Sequence, residues 1–241
     1  MRIPRIYLNQ TLDAGQEVQL DSRSTHYLAS VLRMKPGMQL VLFNGSGLEY
    51  HGTISTLEKK AGAFLVEKSV DPQTESRLVT TLAIGISRGE RMDYVIQKST
   101  ELGVSTIQPL FTERCEVKLD DKRSSKRLGH WSKVSISACE QSGRVVLPTI
   151  EQPTSLEMWL ASEQDYQARF LLDLNQEREL ADISTPESVA MLIGPEGGLS
   201  ENEKALAIGK GFIGLKLGSR TLRTETAPVA ALSLFQYLWG S

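Results

Sequence analysis

Two glycine-rich segments near the C-terminus are the strongest candidates for a ligand site in this sequence. Residues 194–198 read Gly-Pro-Glu-Gly-Gly, and residues 217–226 carry a glycine followed by two arginines and a glutamate. Each segment follows a short apolar run that predicts a strand, and glycine there lets the backbone approach a ligand closely. A dinucleotide-binding domain places its single glycine loop after its first strand. Two loops at the far end of the chain predict a different pocket, to which several loops contribute.

The charged residues of these segments narrow the class of ligand. A phosphate-binding P-loop requires a lysine directly after its glycines, whereas here the first lysine is Lys204. Glu196 would repel phosphates and suits a cationic or hydroxyl-bearing ligand. Arg220 and Arg223 could bind RNA phosphate or a cofactor carboxylate through two parallel hydrogen bonds. The structural alternatives are a tight turn before a capped helix and a surface salt bridge between Arg223 and Glu225.

The composition is that of an ordinary globular protein. The chain has 241 residues, 40% of them hydrophobic, which suits two small domains or one large one. No stretch is long and apolar enough to span a bilayer, and the N-terminus has no signal-peptide pattern. Cys115 and Cys139 form no CxxC pair, so neither a disulfide framework nor a metal site is expected. These features favour the cytoplasm.

Charge is distributed unevenly, although the net charge is only −2. Residues 77–150 contain 12 basic and 8 acidic residues, a net charge of +4, and residues 151–241 contain 7 and 13, a net charge of −6. The basic middle predicts an anionic partner, but ordinary solvated faces would explain it equally well. Its most basic run, residues 122–127, is expected to be an exposed loop that could touch RNA.

The N-terminal part predicts a small β-rich unit that ends at a polar, proline-containing linker over residues 70–76. Asn44 and Gly45 predict a hairpin closed by a type I′ turn, which needs positive φ at both central residues. An amphipathic helix is predicted over residues 24–34. The predicted strands are residues 5–8, 16–20, 38–43, 50–55 and 63–67. Several short strands with one helix indicate a small barrel.

From residue 77 strands and helices alternate, which predicts a parallel sheet with helices on both faces. Gly103 is the predicted C-cap of a helix over residues 90–102, and Ser200 with Glu203 predicts a capping box. The last helix, residues 228–239, is apolar around nearly its whole circumference. A subunit interface or burial within one chain would cover it. The other predicted elements are strands at 78–86, 105–111, 170–173, 189–193 and 213–217 and a helix at 129–141.

Motifs along nearly the whole chain resemble those of one family. Besides the two glycine segments, they are Lys-Ser-Thr-Glu-Leu-Gly at 98–103, Glu-Gln-Ser-Gly-Arg at 140–144 and N-terminal motifs within 26–33 and 43–47. Together they resemble the ribosomal RNA small subunit methyltransferase E family of the SPOUT superfamily.

The resemblance implies a fold, a cofactor and a reaction. The implied fold is an N-terminal PUA-like β-barrel over residues 1–72 and a SPOUT α/β domain with a deep trefoil knot over residues 73–241. The implied protein is a cytoplasmic homodimer that uses S-adenosylmethionine and no metal or membrane. The implied reaction is methylation of N3 of a uridine in 16S rRNA, within the assembled small ribosomal subunit.

The implied reaction suggests roles for individual residues, which we choose by their chemistry. Arg223 would stabilise a developing uracil oxyanion, and Glu225 or Glu196 would accept the N3 proton if desolvation raises its pKa. The expected cofactor-binding residues are Leu172, Leu192, Gly194, Pro195, Glu196, Gly197, Gly198, Leu217, Gly218, Arg220 and Leu222. The expected RNA-binding residues are Arg2, Arg5, Arg33, Arg88, Arg91, Arg114 and Arg144.

Two other classes of function fit the same chain less well. A non-catalytic RNA-binding or ribosome-assembly protein could retain the fold, but it would not need Gly197, Gly198 and Gly218, which are all present. A nucleotide-dependent α/β enzyme would need the P-loop lysine or the dinucleotide fingerprint, and neither occurs.

Overall fold

The protein consists of two compact units. The computed structural model describes residues 3–117, 120–162, 165–172, 180 and 183–240, except for the side chain of residue 121. The first unit comprises Met1–Glu75 and Cys139–Leu147, and the second comprises Ser76–Ala138 and Pro148–Ser241. A segment of nine residues from the middle of the chain therefore packs with the N-terminal part.

The first unit is built on a five-stranded sheet with the order β1-β3-β4-β5-β2. Its strands are β1 Arg5–Tyr7, β2 Glu17–Gln19, β3 Gln39–Phe43, β4 Glu49–Leu57 and β5 Gly62–Val70. Helix α1, Ser22–His26, continues as a π-helical turn over Tyr27–Val31. Leu28 from this turn is fully buried among sheet residues such as Leu42 and Phe64. The predicted β-rich unit with one helix is confirmed.

The connection between β3 and β4 differs from the predicted turn. Phe43 pairs with Glu49, so the loop has five residues rather than the two of a type I′ turn. Gly45 and Gly47 have positive φ, but Asn44 does not. The amide of Asn44 instead donates to the carbonyl of Gln10 at 3.1 Å. This tertiary hydrogen bond favours the longer loop. The predicted hairpin is confirmed, but the predicted type I′ turn is wrong.

The second unit is a parallel sheet with the order β12-β10-β11-β6-β7-β8, on which β9 also pairs with β7. Its strands are β6 Val79–Gly85, β7 Thr106–Phe111, β8 Thr149–Ile150, β9 Thr154–Ser155, β10 Ala168–Leu172, β11 Ser188–Ile193 and β12 Ile213–Leu215. Its helices are α2 Glu90–Glu101, α3 Asp121–Ser142, α4 Leu156–Ala161, α5 Glu201–Gly209 and α6 Thr226–Trp239. The last four residues of α3 belong to the first unit. The predicted α/β class with a parallel sheet is confirmed.

Local sequence signals explain where several helices begin and end. Helix α5 starts with the predicted capping box, in which Ser200 and Glu203 exchange side-chain and backbone hydrogen bonds. Helix α2 ends before Gly103, whose φ of 84° is the left-handed conformation that glycine adopts without strain. Both predictions rest on contacts within one helix end, which a sequence can report directly.

Helix α3 begins eight residues before the predicted start. Asp120 provides its N-terminal cap, since its carboxylate accepts from the backbone N–H of Arg123 at 2.8 Å. The expectation that residues 122–127 form a loop is therefore wrong, because these residues make the first turns of the helix. Gly129 lies inside the helix, where glycine costs only about 1 kcal/mol relative to alanine.

The last helix buries only part of its apolar circumference. Ala231, Leu232 and Phe235 are fully buried. The ring of Trp239 stacks with those of Phe170 on β10 and Phe235, and the Phe235 ring packs at a tilt against Phe170. The opposite side leaves three apolar side chains more than 40% exposed: Leu234, Tyr237 and Leu238. Neither α6 nor any other helix of the described part of the chain combines the length and apolar character needed to cross a membrane.

Candidate functional site

A cavity of about 280 Å³ lies at one edge of the parallel sheet. All strands run in the same direction, so their carboxyl ends, and the loops that follow them, meet at this edge. The end of β10 and the loops after β7, β11 and β12 all contribute to the cavity. Its lining is Arg114, Leu171, Leu172, Ile193, Gly194, Pro195, Glu196, Gly198, Leu199, Lys204, Leu215, Leu217, Arg220, Thr221, Leu222, Thr224 and Ala227. An apolar lining with a few charged groups is typical of small-molecule sites.

Gly194 and Gly198 allow the loop after β11 to pass this edge. A Cβ on Gly194 would lie 2.8 Å from both the carbonyl carbon of Gly198 and the nitrogen of Leu199. Gly198 itself has a φ of 69°. Residues 194–198 therefore form a tight turn in which Gly194 and Gly198, having no side chains, expose backbone to the cavity that they line.

A third glycine supports the same loop from the neighbouring strand. A Cβ on Gly85, the last residue of β6, would lie 2.5 Å from the ring of Pro195. The absence of a side chain at Gly85 lets Pro195 pack directly onto the sheet. No signal in the sequence pointed to Gly85, because its neighbour is 110 positions away along the chain.

Glu196 is tied to the start of helix α2. Its Oε1 accepts hydrogen bonds from the backbone N–H of Arg88 at 3.2 Å and from Nη1 of Arg91 at 3.0 Å. Desolvation by burial acts to raise the pKa of Glu196, but these hydrogen bonds and the charge of Arg91 outweigh it and hold the pKa below its usual value. The condition for Glu196 as a proton acceptor, a raised pKa, is therefore not met, and its carboxylate fastens the pocket loop.

Glu196→Gln should lower the thermal unfolding midpoint at pH 7 by about 2–4 °C. The pKa of Glu196 is lower in the folded protein than in the unfolded chain, so its ionised form contributes stability above the unfolded-state pKa. That contribution is lost as the pH falls below about 4.5, so the two proteins should converge there. Thermal unfolding of both proteins between about pH 3 and pH 8 measures this. Glu201→Gln, at a carboxylate 85% exposed, is the control with little expected change. A difference that widens toward acid pH would contradict the assignment.

The structure brings most of the expected cofactor-binding residues together. Leu172, Gly194, Pro195, Glu196, Gly198, Leu217, Arg220 and Leu222 all line the cavity. Three expected residues do not line the cavity: Leu192, Gly197 and Gly218. Leu192 is fully buried within β11. Gly197 packs against Arg114, since a Cβ built on Gly197 would lie 3.0 Å from the Cβ of Arg114.

Arg223 and Glu225 lie just outside the lining. The side chain of Arg223 is 80% exposed, and its Nη1 is 3.9 Å from Oε1 of Glu225. Thr224, between them, does line the cavity. Arg223 is therefore free to reach a substrate that approaches the mouth of the cavity from solvent.

Sequence reasoning missed several lining residues or gave them another role. The residues not expected at the cofactor site are Arg114, Leu171, Ile193, Leu199, Lys204, Leu215, Thr221, Thr224 and Ala227. Arg114 was expected to contact RNA, and the available signal was its position in the loop that follows strand β7. Lys204 was considered only as a P-loop lysine, although it lies in the first turn of α5, next to the pocket loop.

The arginines expected at RNA fall into distinct environments. Arg2 lies outside the described residues. Arg5 pairs with Glu49 and donates to the backbone carbonyl of Arg144. Arg144 is only 6% exposed, and its Nε and Nη2 both donate to Glu75. These two guanidinium groups hold the first unit together. Of the remaining four, Arg33, Arg88 and Arg91 are exposed side chains, and Arg114 lines the cavity.

Family models match both parts of the chain. A model described as an RNA methyltransferase domain matches residues 74–236, and one described as an RNA methyltransferase PUA domain matches residues 20–66. The first match alone covers more than half of the chain.

Named relatives and solved structures agree with these models. The ribosomal RNA small subunit methyltransferase E of Buchnera aphidicola subsp. Schizaphis graminum is 36% identical over 99% of this chain and 98% of its own. The structure of a methyltransferase from Legionella pneumophila with bound S-adenosylmethionine is 40% identical and superposes with a TM-score of 0.96 over 100% of both chains. The ribosomal RNA small subunit methyltransferase E of Neisseria gonorrhoeae, also bound to S-adenosylmethionine, is 38% identical, with a TM-score of 0.93 over 99% of both chains. Full-length similarity of this kind, with the glycine-built cavity, shows that the chain belongs to the ribosomal RNA small subunit methyltransferase E family.

Proposed function

We propose that this protein binds S-adenosylmethionine in the cavity and transfers its methyl group to N3 of a uridine in 16S rRNA. The observation that carries the proposal is the cavity itself, which two glycine-containing loops and the end of β10 enclose. Two relatives of the same fold, 38% and 40% identical, are described as bound to this cofactor. The position on the base and the rRNA substrate rest on the family.

The residues of the cavity fit this cofactor. Leucines 171, 172, 215 and 217 offer apolar surface for a flat purine, and the side-chain-free turn at Gly194 and Gly198 leaves backbone groups within reach of polar atoms. Glu196 and three basic residues supply charges of both signs for a ligand that carries both. The bound cofactor supplies an electrophilic methyl group on a sulfonium, so the protein's task is to place the nucleophile in line with it.

The protein must also manage the proton on uridine N3. Loss of that proton leaves negative charge on the uracil oxygens, and the exposed guanidinium of Arg223 is the group we assign to stabilise it. Glu225, 3.9 Å from Arg223, is the carboxylate we assign to accept the proton. Glu196 is a weaker candidate for that role because hydrogen bonds lower its pKa.

Exposed arginines on each unit would bind the RNA backbone. On the first unit, Arg33 is exposed and adopts a φ of 53°, a conformation that costs about 1 kcal/mol or more for a residue other than glycine. On the second unit, Arg88 pairs with Glu116 and Arg91 with Glu196 at the surface. The Arg88–Glu116 pair is well exposed on both sides and therefore weak, so phosphate can displace Glu116. We place the activity in the cytoplasm, where the unpaired Cys115 and Cys139 would remain reduced.

We further propose that the protein is a homodimer that associates through α6. Leu234, Tyr237 and Leu238 leave an apolar stripe on that helix, and such exposed stripes often mark contact sites. Tyr237→Glu should therefore shift the protein from dimer to monomer, because a charge would be buried without a partner. Sedimentation at about micromolar concentration measures the mass. A wild-type monomer, or an unchanged dimer in the variant, would refute this contact.

Transfer of labelled methyl from S-adenosylmethionine tests the proposed reaction. The acceptors are small ribosomal subunits and naked 16S rRNA, both from cells that lack this enzyme, and we expect label mainly on the assembled subunit. Methylation at N3 removes the Watson–Crick proton of uridine, so reverse transcription should stop at one labelled position. If RNA binds but no label is transferred, the protein is a non-catalytic RNA-binding member of the fold. If label appears without a stop, the N3 assignment is wrong.

A further inference from the structure

Two of the three basic side chains that line the cavity, Arg114 and Arg220, have no acidic partner among the residues that the structure describes. Among the described residues, the hydrogen bond of Arg114 runs from Nη1 to the carbonyl of Gly197 at 3.0 Å, and no carboxylate pairs with it. Lys204 lines the same cavity and pairs with the exposed Glu201 at 3.0 Å. Glu196, the one carboxylate among the described lining residues, is already bonded to Arg91. The cavity therefore has a surplus of positive charge that favours an anionic group on its ligand.

The position of Arg114 is set by the loop against which it packs. A Cβ on Gly197 would lie 3.0 Å from the Cβ of Arg114 and 3.4 Å from its carbonyl oxygen. A glycine at position 197 is thus what allows the arginine stem to lie against the pocket loop. The guanidinium still has four of its five N–H groups for a ligand.

A buried carboxylate fixes the backbone beside Arg114. Glu203 is only 1% exposed, and its Oε1 accepts the backbone N–H of Glu113 at 2.8 Å. Its Oε2 accepts the N–H of Ser200 at 2.8 Å as part of the capping box. One side chain therefore joins the loop after β7 to the start of α5, directly after the pocket loop. An ordinary capping box would need only the second of these bonds.

We propose that Arg114 binds the carboxylate of the amino-acid portion of S-adenosylmethionine and that Glu203 is the positioning residue that holds Arg114 in place. The proposal rests on the proposed function, since it names the part of that cofactor which Arg114 recognises. The carboxylate is the cofactor's only anionic group, and a guanidinium can bind it through two parallel hydrogen bonds. RNA phosphate is the competing anion, but Arg114 shares its cavity with leucines, which suits a small ligand better than a phosphate backbone.

Two adenosine ligands separate these interactions. S-adenosylhomocysteine carries the carboxylate, whereas 5′-methylthioadenosine has the same adenosine and sulfur without the amino-acid group. Titration calorimetry on the full-length protein should show that Arg114→Gln weakens the binding of S-adenosylhomocysteine by about tenfold to a hundredfold. Binding of 5′-methylthioadenosine should change by less than about twofold. Arg77→Gln, at an exposed arginine before β6 and away from the cavity, is the matched control.

The role of Glu203 is tested by a double-mutant cycle. In Glu203→Gln the amide accepts one of the two backbone N–H groups and faces the other with its own NH₂. This variant should weaken the binding of S-adenosylhomocysteine but not that of 5′-methylthioadenosine. In the Arg114→Gln background it should have no further effect on binding. Because both ligands are measured on the same sample, a partly unfolded fraction affects them equally and does not imitate selectivity.

The outcomes separate this proposal from the proposed function. If wild-type protein binds neither ligand, cofactor binding itself is wrong and the proposal is lost with it. If wild-type protein binds both and Arg114→Gln weakens them equally, the carboxylate contact is wrong while the function stands. If Arg114→Gln leaves both affinities unchanged and raises only the KM for ribosomal RNA, Arg114 binds phosphate instead. Additive effects of the two substitutions would remove Glu203 from the proposal.

Discussion

Arg223→Ala should reduce the rate of methyl transfer by about 10²–10³-fold and leave the affinity for S-adenosylmethionine within about twofold. The guanidinium is 80% exposed and lies outside the cavity lining, so it cannot contribute much to holding the cofactor. Its contribution should arise only when negative charge develops on the uracil. Single-turnover transfer at saturating cofactor measures the rate, and calorimetry measures the affinity.

Two companion variants sharpen this test. Arg223→Lys keeps the charge but loses the planar fork, so it should recover part of the rate. Arg220→Ala removes an arginine that does line the cavity and should affect cofactor affinity more than Arg223→Ala does. If Arg223→Ala weakens affinity and rate by the same factor, Arg223 is a binding residue and not a catalytic one.

Gly194→Ala should weaken the binding of S-adenosylmethionine by about tenfold to a hundredfold, and it should destabilise the protein by about 1–3 kcal/mol. The new methyl group would lie 2.8 Å from backbone atoms of Gly198 and Leu199, which cannot move aside as a flexible side chain could. The turn must open, and the backbone groups that face the cavity move with it. Calorimetry and chemical unfolding measure the two effects.

Gly129→Ala is the control for glycine replacement as such. Gly129 lies in helix α3, and apart from its chain neighbours and the backbone of its own helix nothing lies within 4 Å of a Cβ built on it. Alanine there should stabilise the protein by about 0.5–1 kcal/mol and leave cofactor affinity unchanged. Equal affinities for Gly194→Ala and the wild type would show that the turn at residues 194–198 does not shape the binding site.

Features that depend on neighbouring residues could be predicted from the sequence. Three such features are present: the capping box at Ser200, the C-cap at Gly103 and the alternation of elements that gives a parallel sheet. Each depends on residues or elements that are close together in the sequence. The type I′ turn at Asn44 failed because a side-chain hydrogen bond to Gln10 overrides the local preference. Strands β8 and β9 are only two residues long, too short to carry a pattern.

The candidate site was predictable only in part, for the same reason. Glycine loops after successive strands indicated where a pocket would form, and most of their residues line the cavity. The supports of that pocket come from distant parts of the chain: Gly85 under Pro195, and Glu203 beneath the backbone of Glu113. Such contacts exist only once the sheet has brought its strands together. A trefoil knot, likewise, has no signature in spacing and was expected from the family alone.

Helix α6 connects the wall of the cavity to the surface that we assign to subunit contact. Its first turn contributes Ala227 to the cavity, and its aromatic rings pack against Phe170, which directly precedes the lining residues Leu171 and Leu172 on β10. If the exposed side of this helix binds a second subunit and the helix shifts when it does, association and cofactor binding become thermodynamically linked. Dilution would then weaken cofactor retention, and saturating cofactor would tighten the dimer by an equal free energy. The number of subunits would thus be part of the enzyme's affinity for its methyl donor.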